Sequence, residues 1–294
     1  MKKIGFIGVG IMGKSMVRNL MKAGFELHIY ARTKSKVEDV IGEGAIFHES
    51  IKSCVDGCDA VITIVGFPKD VEEVYFEKDN ILDSAIQGAY LIDMTTTSPQ
   101  IAEKIYAEGT KRGFHVLDAP VTGGDTGAKA GTLSILVGGE KEDYEACMPL
   151  FEAMGTNINY QGKAGCGQHC KLANQIMIAG TLSGVCEALT YAKEQGLDLD
   201  TVMKSVATGA AGSKQLDTFG PKIINGDYAP GFFMKHFIKD MKLALVEANR
   251  KGLSLDVLSL VLANYEELEA EGLGDLGTQA LVKFYDEEHR CTEE

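Results

Sequence analysis

Positive charge is scarce in this chain. Its 294 residues carry 29 Lys and Arg against 42 Asp and Glu, a formal net charge of -13. A surface of that sign repels phosphate backbones and anionic lipid headgroups alike, so neither nucleic acid nor a membrane surface is an expected partner. A long uninterrupted apolar run is also missing. The most apolar stretch, residues 172–189, is broken by Asn174, Gln175, Thr181, Ser183 and Glu187, so it reads as a buried helix of a soluble protein and not as a membrane span. Met1-Lys2-Lys3 runs directly into Ile4-Gly5-Phe6-Ile7-Gly8 without an apolar leader ending at small residues, which predicts a cytoplasmic protein. The seven cysteines are an odd number scattered through a long chain without export signals, the usage of reduced thiols. Cys166, His169 and Cys170 fall close together, but no second ligand pair at zinc spacing accompanies them, and no metal is expected. There is no tandem repeat and no low-complexity segment; the acidic end from Asp286 onward reads as a frayed tail.

What is present is enough apolar sequence, 45% of residues, to fill a sizeable core, in a chain longer than one compact domain usually needs. Short runs rich in Ile and Val at residues 4–7, 27–30, 60–65, 90–92, 116–117 and 134–137 are candidate strands. Segments of helical period lie between them, at 12–23, 37–41, 71–76 and 101–112. Alternation of this kind predicts a parallel sheet covered by helices. Beyond about residue 162 the strand-like runs stop. Residues 165–195 read as one long helix that is apolar nearly all round, followed by helices at 201–208, 235–251, 255–271 and 278–287. The predicted fold class is therefore an α/β Rossmann domain, residues 1–162, followed by an all-α domain, residues 163–294, joined by a long interdomain helix.

Gly8-Val9-Gly10-Ile11-Met12-Gly13 matches G-x-G-x-x-G between a predicted first strand and a predicted helix. In that context Gly8 permits the tight turn, Gly10 lets the backbone approach a pyrophosphate, and Gly13 allows close packing of helix on strand. Phosphates would meet the helix N-terminus, whose free N–H groups favour anions. About twenty residues on, where an acidic residue would hold the ribose hydroxyls of NAD, the chain has Tyr30-Ala31-Arg32-Thr33-Lys34-Ser35-Lys36 and no carboxylate. Arg32, Thr33 and Lys36, with Ala31 at the turn, suit a 2′-phosphate, so NADP is favoured and NAD stays open; a solvated basic loop that selects nothing has the same composition. Val65 and Gly66 end a strand at the edge where ligands of open parallel sheets bind.

Three further motifs complete a pattern: Asp118-Ala119-Pro120-Val121-Thr122-Gly123-Gly124, the run from Gly167 through Lys171-Leu172-Ala173-Asn174-Gln175, and His236-Phe237-Ile238-Lys239-Asp240. Together with the glycine motif they resemble the β-hydroxyacid dehydrogenase family over nearly the whole chain. That family includes 3-hydroxyisobutyrate dehydrogenase, tartronate semialdehyde reductase and the glyoxylate/succinic semialdehyde reductases. The resemblance implies an active site in a cleft between the domains, with Lys171 as the catalytic lysine and Asn174 beside it on the same helix face. It implies substrate contacts at Thr122, Gly123, Gly124, Gln175 and Asp240 for a small carboxylate-bearing molecule. It also implies cofactor contacts at Thr95, Thr96 and Lys239, and association into a homodimer or homotetramer. Two departures stand out: Thr122 occupies a usual Ser position, and Gly66 replaces part of a frequent Leu-Pro. His115, His169 and His236 have no paired carboxylate or metal pattern and are read as structural. The competing readings are a non-catalytic NADPH-binding scaffold or sensor on the same fold, and an imine reductase, a kind of relative that generally replaces the lysine kept here.

Overall fold

The short apolar runs do make strands. The computed structural model describes residues 1–285, and nine strands form one sheet there. They are β1 (Lys3–Ile7), β2 (Glu26–Tyr30), β3 (Ile46–Phe47), β4 (Ala60–Thr63), β5 (Tyr90–Asp93), β6 (His115–Asp118), β7 (Val121–Thr122), β8 (Leu133–Gly139) and β9 (Gly155–Gly162). β4 is buried throughout, and β1, β5 and β6 are buried beyond their first residue. That is the pattern of parallel strands covered on both faces. The order runs β3-β2-β1-β4-β5-β6-β8-β7, with β9 paired to β8. The first six are parallel to their neighbours, whereas β8 runs antiparallel to both β6 and β7.

An order of 3-2-1-4-5-6 reverses direction between β1 and β4, and ligands of such sheets bind outside the carboxyl ends of the strands at that reversal. Register brings Ile7, Thr63, Asp93 and Asp118 level at those ends. The period of two splits the strand residues between two cores. Ile4, Phe6, Ile29, Ile62, Ile92 and Leu117 belong to one cluster, and Ile7, Val61, Leu91 and Val116 to the other.

Two compact units meet along the chain between Lys171 and Leu172, inside the helix Cys166–Glu194. Composition alone placed the change near 162, where the strands stop. The units divide later because the first turn of that helix is tied to the sheet. The second unit is helical, with helices Leu199–Val206, Lys214–Ile224, Met234–Arg250 and Asp256–Ala270 and a 3-10 helix Thr278–Tyr285. Its core joins Leu172, Ala179, Leu182, Cys186 and Leu189 of the long helix to Phe237, Met241, Tyr265, Leu268 and Leu281. By length and mean apolarity that long helix would also qualify as a membrane span; its buried residues comprise apolar core side chains and the polar Gln168, Lys171, Gln175 and Ser183. The expected helix at 278–287 is a tighter 3-10 helix over its described part, and the acidic tail from Asp286 lies outside the described residues.

Candidate active site

The glycine motif is built as its spacing predicts. Gly8 has a φ of +99° and a Cβ there would stand 2.1 Å from the carbonyl oxygen of Ile64; a Cβ on Gly13 would stand 2.2 Å from that of Gly8. Both positions therefore exclude side chains for reasons internal to the fold. Gly10 differs: a Cβ there meets nothing within 4 Å. It is the residue before the helix Ile11–Lys22, which has no side-chain cap and no acidic residue in its first turn. The open space over Gly10 and the uncapped N–H groups behind it form a cradle suited to a pyrophosphate. Met12 packs against the sheet core while Ile11 stays exposed.

Beyond β2, Arg32, Thr33, Lys34, Ser35 and Lys36 are all exposed, and Ala31 is half-buried. Arg32 is not loose. Its Nη2 lies 2.5 Å from Oδ1 of the buried Asp70, whose Oδ2 accepts from the Phe67 N–H at 2.9 Å. Asp70 thus caps the helix Pro68–Phe76 and steers Arg32 while leaving 66% of its side chain exposed, free to meet an anion with its remaining N–H groups. Asp70 lies far from the basic turn in sequence, and no motif signalled it.

The carboxyl ends of β4, β5 and β6 carry a buried polar network that the sequence also did not announce. Asp93 Oδ1 accepts from Thr63 Oγ1 at 2.8 Å and from the Thr95 N–H at 3.1 Å. Thr95 Oγ1 accepts from the Val65 N–H at 3.0 Å, which ties the strand end at Val65 and Gly66 to the loop carrying Thr95 and Thr96. Asp118 holds the start of the long helix, its Oδ1 accepting from Gly165 N–H at 2.8 Å and its Oδ2 from Gln168 N–H at 2.9 Å. Burial raises the pKa of Asp118, and these backbone donors oppose the rise. Gly167 allows the close approach, since a Cβ there would lie 2.4 Å from the Leu136 carbonyl oxygen and 2.7 Å from that of Asp118. The first turn so anchored leads directly to Lys171, which is 7% exposed.

Thr122 and Gly124 are half-buried and Gly123 is exposed. The two glycines have φ of +130° and +64°, and a Cβ on Gly124 meets nothing within 4 Å. Backbone of that shape presents N–H groups to an anion.

In the second unit the remaining predicted residues form one chain of contacts. Gln175 Nε2 donates to Asp240 Oδ2 at 2.6 Å, and Asn174 Nδ2 donates to Gln175 Oε1 at 2.8 Å. Lys239 Nζ stands 2.9 Å from Asp240 Oδ1, an ion pair by distance although not aligned as a hydrogen bond. A carboxylate only accepts, so Asp240 fixes which end of the Gln175 amide faces it, and Gln175 in turn fixes Asn174. Asn174 therefore keeps its carbonyl oxygen available as an acceptor. Gln175 and Asp240 are both buried and spend hydrogen bonds on each other. Among the described residues no group of three or more His, Cys, Asp or Glu could hold a metal ion.

Comparison with known proteins places this geometry in context. Residues 3–162 match the family model described as the NAD binding domain of 6-phosphogluconate dehydrogenase. Residues 165–285 match the one described as NAD-binding of NADP-dependent 3-hydroxyisobutyrate dehydrogenase. The chain is 45% identical to the probable 3-hydroxyisobutyrate dehydrogenase-like 1, mitochondrial, of Arabidopsis thaliana, over 95% of this chain and 84% of that protein. It is 35% identical to the 2-hydroxy-3-oxopropionate reductase of Escherichia coli (strain K12), over 96% of each. Its fold is similar to that of Mycobacterium tuberculosis 3-hydroxyisobutyrate dehydrogenase solved with L-serine, with a TM-score of 0.88, 28% identity, and coverage of 97% of this chain and 99% of that one.

Proposed function

The chain belongs to the β-hydroxyacid dehydrogenase family, and from that premise we propose that Lys171 moves the proton in the interconversion of a small hydroxy acid and its semialdehyde. The protein is an NAD(P)-dependent oxidoreductase acting on CH–OH groups. The cradle at Gly8, Gly10, Ile11, Met12 and Gly13 fits a dinucleotide, because only Gly10 leaves its space open while Gly8 and Gly13 are closed by the fold itself. The exposed Arg32, Thr33 and Lys36 favour the 2′-phosphate of NADP. The chemistry that a bound nicotinamide supplies is hydride exchange with the substrate carbon.

The chain's own residues do the rest. In reduction the carbonyl oxygen gains negative charge, and the Lys171 ammonium stabilises that charge and gives up a proton; in oxidation the neutral amine accepts the hydroxyl proton. Asn174, three residues along the helix, offers its carbonyl oxygen as an acceptor for a substrate hydroxyl. Thr122, Gly123 and Gly124 receive the substrate carboxylate through a hydroxyl and backbone N–H groups. Gln175, Asp240 and Lys239 support the site by setting the Asn174 amide. The observation that carries the reading is a lysine 7% exposed, on a helix whose first turn is fastened to the loop after β5.

The substrate class is a small semialdehyde bearing a carboxylate, of the tartronate or methylmalonate type, as the names of the relatives suggest. Incubation with NADPH or NADH and tartronate, methylmalonate or succinate semialdehyde, or glyoxylate, tests this through loss of reduced-cofactor absorbance. Turnover of at least one, faster with NADPH, is expected; no turnover of any with either cofactor contradicts the reading. Association of the helical unit into a homodimer or homotetramer belongs to the same proposal, supported by the exposed Met177, Tyr191, Val257 and Leu260 on its helices.

A further inference from the structure

Gln168 is fully buried, and both ends of its amide are used far along the chain. Its Oε1 accepts from the Thr97 N–H at 3.0 Å, and its Nε2 donates to the Thr95 carbonyl at 2.8 Å. A neutral amide meets a donor and an acceptor side by side in this way, which an ionised carboxylate, an acceptor only, does not. A carboxylate would set its second oxygen against the Thr95 carbonyl, and an apolar side chain would orphan a buried N–H and C=O. The segment it grips is fixed from behind as well, through Thr95 to Val65 and to Asp93. The helix it belongs to is fixed by Asp118. Gln168 precedes Lys171 by three residues in one continuous helix, so the loop and the lysine are held as one rigid piece.

We infer that Gln168 is a positioning residue: its amide registers Lys171 against the Thr95-Thr96-Thr97 loop, so that the proton donor keeps a fixed place relative to the cofactor contacts expected at Thr95 and Thr96. The inference rests on the proposed role of Lys171. It is independent of which semialdehyde is the substrate.

The test compares Gln168→Met, Gln168→Glu and Lys171→Ala in the full chain. NADPH binding is read by fluorescence titration, turnover across pH by steady-state kinetics, and the 94–98 segment by hydrogen exchange without cofactor. Gln168→Met is expected to bind NADPH as the wild type does, to turn over about ten- to a hundredfold more slowly, and to exchange the Thr97 amide faster. Gln168→Glu is expected to be impaired at high pH and to recover relative to wild type as pH falls. A protonated carboxyl mimics the amide, its carbonyl accepting from Thr97 and its hydroxyl donating to Thr95. Should Gln168→Met fail to fold, that recovery decides alone: its presence supports the inference and a constant ratio to wild type overturns it. Wild-type turnover in both Gln168 variants, with Lys171→Ala inactive, overturns the positioning role only. Full activity in Lys171→Ala removes the parent reading and this one together.

Discussion

Asp93 shows how one side chain can tie stability to pH. Its Oδ2 is buried with no hydrogen-bond partner, while Oδ1 accepts two bonds. Burial, with a smaller contribution from Asp118 beside it, pushes the carboxyl up to about 6, and the bonds from Thr95 and Thr63 hold it from rising further. An unfolded Asp ionises near pH 4. Between about pH 4 and about pH 6 the folded state therefore binds a proton that the unfolded state has lost, and stability falls as pH rises through that window. The group costs on the order of 3 kcal/mol above it. Asp93→Asn removes the titration. Urea unfolding of both proteins across this range should show wild type losing roughly that amount relative to the variant; parallel stability curves would contradict the account. Residues like Asp93 and Gln168 escaped the sequence reading for a common reason. Lys171 stands in a motif whose chemistry is recognisable by residue type, whereas a buried Asp or Gln acquires its role from partners many residues away.

At the scale of elements, strands with all-apolar runs were legible because burial on both faces demands such runs. β1, β2, β4, β5, β6 and β8 all appear near their expected places. β3 and β7 are two residues long, and β9 is a half-exposed strand with few apolar residues, so none offered an apolar run long enough to read. The helix Lys214–Ile224 was hidden by Gly220 and Pro221 inside it. The turn from β1 into the helix Ile11–Lys22 was the most readable part, and it separates two kinds of glycine. Gly13→Ala must push against the Gly8 carbonyl oxygen and is expected to cost about 1–3 kcal/mol of stability. Gly10→Ala meets no protein atom, so its stability should change by less than about 1 kcal/mol while NADPH binding weakens markedly. Thermal unfolding and a binding titration on both variants check this; equal binding by Gly10→Ala and wild type would remove Gly10 from the cradle.

At the scale of the molecule, each unit encloses its own apolar core, yet the helical unit still exposes Tyr191 at 67% and Met177 at 66% on the long helix. Contiguous apolar patches mark surfaces that associate, and the proposed association would cover these side chains. If the proposed association holds, sedimentation velocity at micromolar concentration should report a dimer or tetramer, shifted towards monomer by Tyr191→Glu with Leu260→Glu; a monomeric wild type would contradict that proposal. The account as a whole turns on the amine at position 171. Steady-state turnover of Lys171→Ala, with and without added small primary amines, tests it most directly. We expect NADPH to bind as before, turnover to fall about a thousandfold, and the amines to restore part of it in proportion to their basicity. Turnover near the wild-type rate in the absence of any amine would contradict it.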